Sequence, residues 1–319
     1  MVTYVLKFNP RLMSRIKQTI KTFVKLLPGK KAMFSFMRLF GVPAIYKSLR
    51  FRGPFHLPLT PETSVQLWNS DDYCIETEWF WRGINGWEAV SLQIWNRLCG
   101  SAGLGHSPVI WDIGACEGIY ALTANALSPD AVVLAMEPLE VAFQRLTNNI
   151  VLNRGSVIAI KAAASMEDGV ADLFMDDQVS STEASLMTGQ VKGSTASCSV
   201  VTRSVASIIA ELKLKSMDLV KIDVEGAEPG VLRGMGEYLA KYRPVMILEV
   251  LNSSAGEQVN ELMKELKYRY WDINDDPRNG PLGIRSECAI KKGICLNWLL
   301  VPEEKVELLD HCWGTWVLK

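Results

Sequence analysis

The stretch Val109-Ile-Trp-Asp-Ile-Gly-Ala-Cys-Glu-Gly-Ile-Tyr120 decides the fold, because an apolar run breaks into small residues and then resumes with a helical rhythm. It reads as strand, tight loop and helix. Val109, Ile110, Trp111 and Ile113 suit a strand buried on both faces of a parallel sheet. Gly114 and Gly118 allow a backbone to approach a ligand that a Cβ would obstruct. Asp112 stands where the strand ends. Ligands of open α/β sheets bind beyond the carboxyl ends of the strands, so this acid and this loop are expected to face a small molecule.

A dinucleotide fingerprint would read G-x-G-x-x-G, but Ala115, Cys116 and Glu117 stand between the two glycines here. Carboxylates at Asp112 and Glu117 oppose a pyrophosphate and favour a cationic cofactor. S-adenosylmethionine carries a sulfonium and an ammonium and no phosphate, so its charges match. A second apolar run, Ala131-Val-Val-Leu-Ala-Met136, ends in Glu137-Pro138, about 20 residues after Gly118, the spacing of an acid that accepts ribose hydroxyls. A third strand, Val157-Ile-Ala-Ile-Lys161, leads to Ala164 and Ser165, whose small side chains leave room for a flat ring. The cofactor set is thus Asp112, Gly114, Ala115, Gly118, Glu137, Ala164 and Ser165. The plainer alternatives are a tight strand-to-helix turn and a surface Glu before a helix-starting proline.

The segment Asp218-Leu-Val-Lys-Ile-Asp-Val-Glu-Gly-Ala-Glu228 is a further buried strand, ending in acids. Asp223 and Glu225 alternate across Val224, so continued strand geometry puts them on one face, close enough to share a proton or a metal. They are the leading candidates for a general base. Glu249, near the end of Pro244-Val-Met-Ile-Leu-Glu-Val250, is a third. His106 precedes the first strand and falls at the wrong end of the sheet, while His56 and His311 have no assignable place. The same acids suit Mg²⁺, a hard ion that prefers oxygen, but this is the less favoured reading and no residue is assigned as a metal ligand.

A chain of 319 residues, 48% hydrophobic and 22% charged, can bury one large core or two modest ones. The seven cysteines are scattered and form no C-x-x-C, which points to a reducing compartment. No apolar run reaches the roughly 18 to 20 residues of a spanning helix and no signal-peptide core is evident, so a cytoplasmic protein is expected. The net charge of -1 hides an asymmetry: every charged side chain before Glu62 is Lys or Arg. Leu12, Ile16, Ile20, Phe23, Val24 and Leu27 recur at helical spacing opposite Arg11, Arg15, Lys17, Lys21 and Lys25. Residues 11–27 therefore either lie on an anionic membrane as a peripheral contact or pack their stripe on the catalytic domain. No nucleic-acid partner is expected, and the oligomeric state is not legible.

Three regions follow: a basic, partly helical extension at 1–53, a β-edge and aromatic lead-in at 54–108, and a catalytic domain at 109–319. In the lead-in, Trp79, Phe80, Trp81, Trp87 and Trp95 are expected to be mostly core, with one or two walling the mouth of the pocket. Helices are expected at 139–153, 204–213, 229–239 and 254–266, and the last strands at 268–273 and 295–301. Residues 180–185 form a polar loop.

The set Val109-Ile-Trp-Asp-Ile-Gly-Ala115, Met136-Glu-Pro138, Asn149-Ile-Val-Leu-Asn153, Ala164-Ser165, Lys221-Ile-Asp-Val-Glu-Gly-Ala-Glu228 and Asn297-Trp-Leu-Leu-Val-Pro302 resembles the FkbM-type methyltransferases over residues 109–302. The block from Lys221 is its most specific piece. The resemblance implies a class I α/β fold with a Rossmann-like, seven-stranded, mostly parallel sheet whose last strand is antiparallel. It also implies methyl transfer from S-adenosylmethionine to a hydroxyl of a saccharide, glycolipid or natural product. Cys116 replaces the Asn usual in the family's loop, which bears on its cofactor contact. Two rivals stay open: an NAD-dependent oxidoreductase, which requires a phosphate cradle, and a catalytically silent membrane adaptor that uses the basic arm.

Overall fold

The computed structural model describes residues 51–70, 74–101, 104–175, 184–186, 196–291 and 296–309. The basic stripe at 11–27 lies outside them, as does most of the polar loop at 180–185. No helix among the described residues is long and apolar enough to cross a membrane.

An eight-stranded sheet forms the centre. In chain order the strands of the protein are β1 (Gly53–Pro58), β2 (Ser64–Asn69), β3 (Val109–Ile113), β4 (Val132–Met136), β5 (Ile158–Ile160), β6 (Ala163–Ala164) and β7 (Gly169–Met175). They continue as β8 (Ala184–Ser185), β9 (Ala196–Arg203), β10 (Leu219–Ile222), β11 (Val245–Glu249), β12 (Tyr268–Asn274), β13 (Gly283–Glu287) and β14 (Asn297–Pro302). The large sheet runs β13-β12-β14-β11-β10-β3-β4-β5. Strands β5, β4, β3, β10 and β11 are parallel, and β14 inserts antiparallel between β11 and β12. The order reverses between β3 and β10, which is where such sheets open a crevice for ligands. Seven strands are expected from the sequence; the eighth, β13, is an edge hairpin partner of β12 with two buried residues followed by a polar half.

Strand alternation sorts side chains onto two cores. Val109, Trp111 and Ile113 face one, with Val220 and Ile222, whereas Ile110 and Leu219 face the other. The helices that cover the sheet are α1 (Cys74–Arg82), α2 (Ala89–Cys99), α3 (Ile119–Leu127) and α4 (Glu140–Asn153), followed by α5 (Val205–Leu212), α6 (Glu228–Gly234), α7 (Glu237–Tyr242) and α8 (Ser253–Met263). Leu92, Ile94, Trp95 and Leu98 of α2 and Ile119 and Leu122 of α3 fill the core that Ile110 and Leu219 face; Ile208, Val231 and Val259 belong to the core of Trp111. Ser204 caps α5 by accepting the Ser207 N–H at 3.1 Å, as its position predicts. The helix anticipated at 229–239 is two helices, because Gly236 takes a φ of +55° that an uninterrupted helix does not contain.

The β1–β2 hairpin is tied to α4. Asn149 Oδ1 accepts the Trp68 N–H at 3.0 Å, and Asn153 both accepts the Gln66 N–H and donates to the Gln66 carbonyl, each at 2.7 Å. These two asparagines satisfy backbone groups of an edge strand that would otherwise need water. A small second sheet, β6-β9-β7-β8, flanks the β5 side.

The loop after β3 and the loop after β10 nearly touch. A Cβ added to Gly114, which has a φ of +82°, would sit 1.7 Å from the Asp223 carbonyl oxygen. Gly114→Ala therefore has both a clash with backbone and an unfavourable φ, and is expected to destabilise by about 2 to 4 kcal/mol in urea unfolding. At Gly230, within α6, an added Cβ meets nothing within 4 Å. Gly230→Ala is expected to be neutral or to stabilise by about 0.5 to 1 kcal/mol. Equal destabilisation by the two changes would refute the role given to this contact.

Candidate active site

A cavity of about 350 Å³ opens at the carboxyl ends of β3, β4, β10 and β11. Gly114 and Cys116 contribute from the loop after β3, Glu137 and Pro138 from the end of β4, and residues 162–164 from the start of the small sheet. Residues 223–225 and Glu249 close the opposite end, together with Trp87 and Glu88 from the turn before α2. The first of these groups sets Glu137 among small and apolar residues, and the second is acidic.

The loop after β3 spends its own N–H groups internally. Gly114 and Ala115 both donate to the Met136 carbonyl at 2.9 Å, Gly118 donates to the Ala115 carbonyl at 2.7 Å, and Cys116 donates to Glu137 Oε2 at 2.9 Å. A phosphate cradle needs such groups aimed at the ligand. This loop is instead fastened to the end of β4, which argues against a dinucleotide. Cys116 holds a φ of +48°, a left-handed conformation that Asn tolerates better than most residues. The Asn usual in the family's loop therefore suits the backbone here, and the cysteine keeps the same turn at some conformational cost.

Glu137 is fixed from both sides. Its Oε1 accepts the Leu139 N–H at 2.9 Å while Oε2 holds Cys116, and the side chain still lines the cavity. Each carboxylate oxygen keeps a second lone pair for a donor such as a ribose hydroxyl. Burial pushes the carboxyl up to about 7, against the two N–H bonds that favour its charged form. Asp112 is also raised to about 7 by burial, but it faces α3, where its Oδ2 accepts the Ala121 N–H at 2.8 Å.

At the acidic end, oxygens of Glu88, Asp223 and Glu249 all lie within 4.8 Å of one another. Beneath them the Lys221 ammonium, on a side chain 1% exposed, donates to Asp223 Oδ2 at 3.1 Å and to Asn297 Oδ1 at 3.2 Å. It also lies 5.3 Å from the centre of the Tyr120 ring. Asn297 Nδ2 donates to Glu88 Oε1 at 2.7 Å, and the Tyr120 hydroxyl donates to Glu88 Oε2 at 2.7 Å. Burial alone would lower the Lys221 value, but the charges of Asp223, Glu88 and Glu249 more than offset it and hold the ammonium protonated. Burial raises Glu249 well above the usual carboxylate range, and the neighbouring Asp223 raises it further. Glu88 is raised by burial as well, with Lys221 pulling the other way.

Of the residues singled out in the sequence, Gly114, Glu137, Ala164, Asp223 and Glu225 line the cavity; Asp112, Ala115, Gly118 and Ser165 do not. Asp112 falls on the α3 face by strand alternation and serves that helix. Ala115 is turned into the core, and Gly118 starts α3 where a Cβ would meet Leu146 at 2.4 Å. Ser165 donates its N–H to the Arg203 carbonyl, pairing with β9. The expected alternation of Asp223 and Glu225 also fails, because β10 ends at Ile222 and Glu225 takes a φ of +54°. The acids that meet Asp223 are Glu249 and Glu88. Glu88, Lys221, Tyr120 and Asn297 were not anticipated as site residues; a lysine inside the apolar strand Leu219–Ile222 was the available signal.

Four buried carboxyls, Asp112, Glu117, Glu137 and Glu228, are raised to about 7, chiefly by burial. In the unfolded chain they titrate near 4, so the folded protein holds more protons between about pH 4 and 7. Stability then falls as pH rises through that window, by up to about 1.4 kcal/mol per pH unit for each group. Calorimetry of the ligand-free protein should give a higher Tm at pH 6 than at pH 8, and Glu137→Gln should show a smaller difference. A Tm that is flat or higher at pH 8 would mean these acids are ionised in the fold.

Residues 112–270 match the family described as Methyltransferase FkbM domain. The hexuronic acid methyltransferase AglP of Haloferax volcanii is 31% identical over 160 residues, covering 50% of this chain and 62% of that protein. Methyltransferase 1 of Beauveria bassiana is 28% identical over 145 residues, 40% of this chain and 58% of that protein. The chain thus spans about six tenths of the length of these relatives. A crystal structure of Methyltransferase FkbM from Methylobacillus flagellatus KT is 14% identical with a TM-score of 0.40, covering 61% of this chain and 43% of that one. The matched stretch contains the loop after β3, Glu137, the end of β10 and Glu249, so in its central domain the chain belongs to the methyltransferase FkbM family.

Proposed function

We propose that the protein is an S-adenosylmethionine-dependent O-methyltransferase acting on a hydroxyl of a saccharide or a similar polyhydroxylated acceptor. The observation that carries this reading is a single cavity with Glu137 at one end and the acids around Lys221 at the other. The name of the Haloferax relative, a hexuronic acid methyltransferase, supports a saccharide acceptor.

The residues present fit the cofactor. Glu137 would accept the ribose hydroxyls, and Leu139, Leu173 and Ala162 to Ala164 offer an apolar slot for the adenine. Carboxylates at the far end would face the sulfonium and ammonium groups. When bound, S-adenosylmethionine supplies an electrophilic methyl group on a positively charged sulfur. The protein aligns the acceptor oxygen with that carbon, excludes water and receives the hydroxyl proton. Such a transfer would form a C–O bond and break the C–S bond, whose electron pair would stay with sulfur. The hydroxyl proton would pass to the Asp223 and Glu249 pair, whose oxygens lie within 4.8 Å of each other. Lys221 offsets the charge of the acid cluster, and Asn297 and Tyr120 fix the orientation of Glu88.

Magnesium is a second reading, favoured by the three carboxylates whose oxygens lie within 4.8 Å. Both oxygens of Glu88 are already engaged, and Lys221 supplies a cation at Asp223, so the first reading needs no metal. Loss of activity on adding EDTA with recovery on Mg²⁺ would favour the metal.

Three substitutions test the assignment. Glu137→Ala should weaken S-adenosylmethionine binding by about 2 to 4 kcal/mol in calorimetry, because two hydrogen bonds to a charged group are lost. Native affinity in that variant would remove Glu137 from the cofactor site. Asp223→Asn and Glu249→Gln should each lower kcat by roughly 10² to 10⁴, with cofactor affinity changed far less. Unchanged turnover in both would place the base elsewhere.

A further inference from the structure

A second cavity, of about 540 Å³, adjoins the first and shares Trp87, Glu88, Glu249 and Leu296 with it. It is built from the end of α1, the turn before α2, the end of β12 and the short helical turn Pro277–Asn279. The methyltransferase reading places the cofactor in the first cavity and leaves this one without a role. The two meet at the acid cluster, so a ligand in the second cavity presents a group to the same carboxylates that face the first.

The lining has a chemical bias. Trp87 is 44% exposed, a large indole surface left open beside the cluster. Around it stand carboxylates of Glu78, Glu88, Glu249, Asp275 and Asp276 and the amides of Asn274 and Asn279. Carboxylates only accept hydrogen bonds when ionised, so the cleft suits a ligand rich in donors, and an open ring face suits one with an apolar side. A pyranose has both: C–H groups on its faces and hydroxyls at its edge.

Charge narrows the choice further. The two guanidiniums of the cleft are already held. Arg82 pairs with Glu78 at 3.2 Å, and Arg278 Nε donates to both oxygens of Asp276 at 2.9 and 2.8 Å. Asp275 spends Oδ1 on the Val90 and Ser91 N–H groups at 2.7 and 3.0 Å and accepts the Ser91 hydroxyl at Oδ2. Among the described residues this leaves an excess of acid and no unpaired guanidinium beside an incoming carboxylate.

We propose that this second cavity is the acceptor site, and that it takes a neutral or amine-bearing saccharide laid against Trp87, in preference to a uronate, with the reacting hydroxyl presented between Glu88 and Glu249. The proposal rests on the methyltransferase reading above. It makes Trp87 a specificity residue at the boundary that the two cavities share.

The test uses the full-length protein with S-adenosylmethionine labelled on the methyl group. Cofactor binding is measured first by calorimetry; methyl uptake and saturation-transfer NMR then follow for cello-oligosaccharides, glucosamine oligomers and oligogalacturonates. The expected result is binding and methylation of the neutral or amine-bearing oligomers and rejection of the uronates. Trp87→Ala should raise the acceptor KM by roughly tenfold and change cofactor affinity far less, and Trp87→Phe should restore most of the loss. Asn279→Lys, which adds a cation at an exposed position of the cleft, should admit the uronates. Failure to bind S-adenosylmethionine at all would bring down the methyltransferase reading, and this proposal with it. Normal cofactor binding with a preference for uronates, with no saccharide bound, or with KM unchanged in Trp87→Ala would overturn the acceptor site alone.

Discussion

The ammonium of Lys221, almost fully buried, sits where β10 brings Asp223 toward Glu88 and Glu249. Three carboxylates at such separations repel one another strongly unless they share protons or face a cation. Lys221 provides that cation without leaving the sheet, because strand alternation directs it to the same face as Asp112, its register partner on β3. Its partners reach the site from several places: Tyr120 from α3, Asn297 from β14 and Glu88 from the turn before α2. The order of the central strands and the acid end of the cavity are thus linked by one buried charge, and breaking it would leave unpaired charges inside the protein.

Much of the fold was legible because buried parallel strands leave continuous apolar runs. Val109–Ile113, Val132–Met136 and Val245–Glu249 each read that way. Glu137 stood out by its spacing after Gly118 and Asp223 by its place at a strand end, and both line the cavity. What was not legible depended on chain reversals and distant contacts. The sequence carries no mark that β10 stops one residue before Asp223, or that Glu225 turns left-handed, so an alternation rule was extended past the strand it describes. Glu88 lies far from Asp223 along the chain and joins it only through Asn297 and Tyr120. The eighth strand was missed because Gly283–Glu287 has two buried residues and no apolar run.

The glycines carry a related lesson. A glycine loop after a strand invites the reading that a ligand comes close, yet Gly114 is needed as much for the Asp223 carbonyl, and Gly118 for Leu146. The loop beside the cavity is held in place by its own bonds: its N–H groups are bound to Met136 and Glu137. Preorganisation of this kind lowers the ordering cost of binding.

Asp275 has a wider consequence. Its carboxylate receives the first N–H groups of α2, and α2 buries Leu92, Ile94, Trp95 and Leu98 in the main core. The turn that carries Trp87 and Glu88 is therefore anchored to the end of β12 through this acid, as well as to β14 through Asn297. Changes of ligand preference that act through this turn would disturb the core at the same time. The exposed Pro277–Asn279 turn carries no such burden. Diversification of the binding repertoire has its freest ground there, where side chains can be exchanged without repacking the protein.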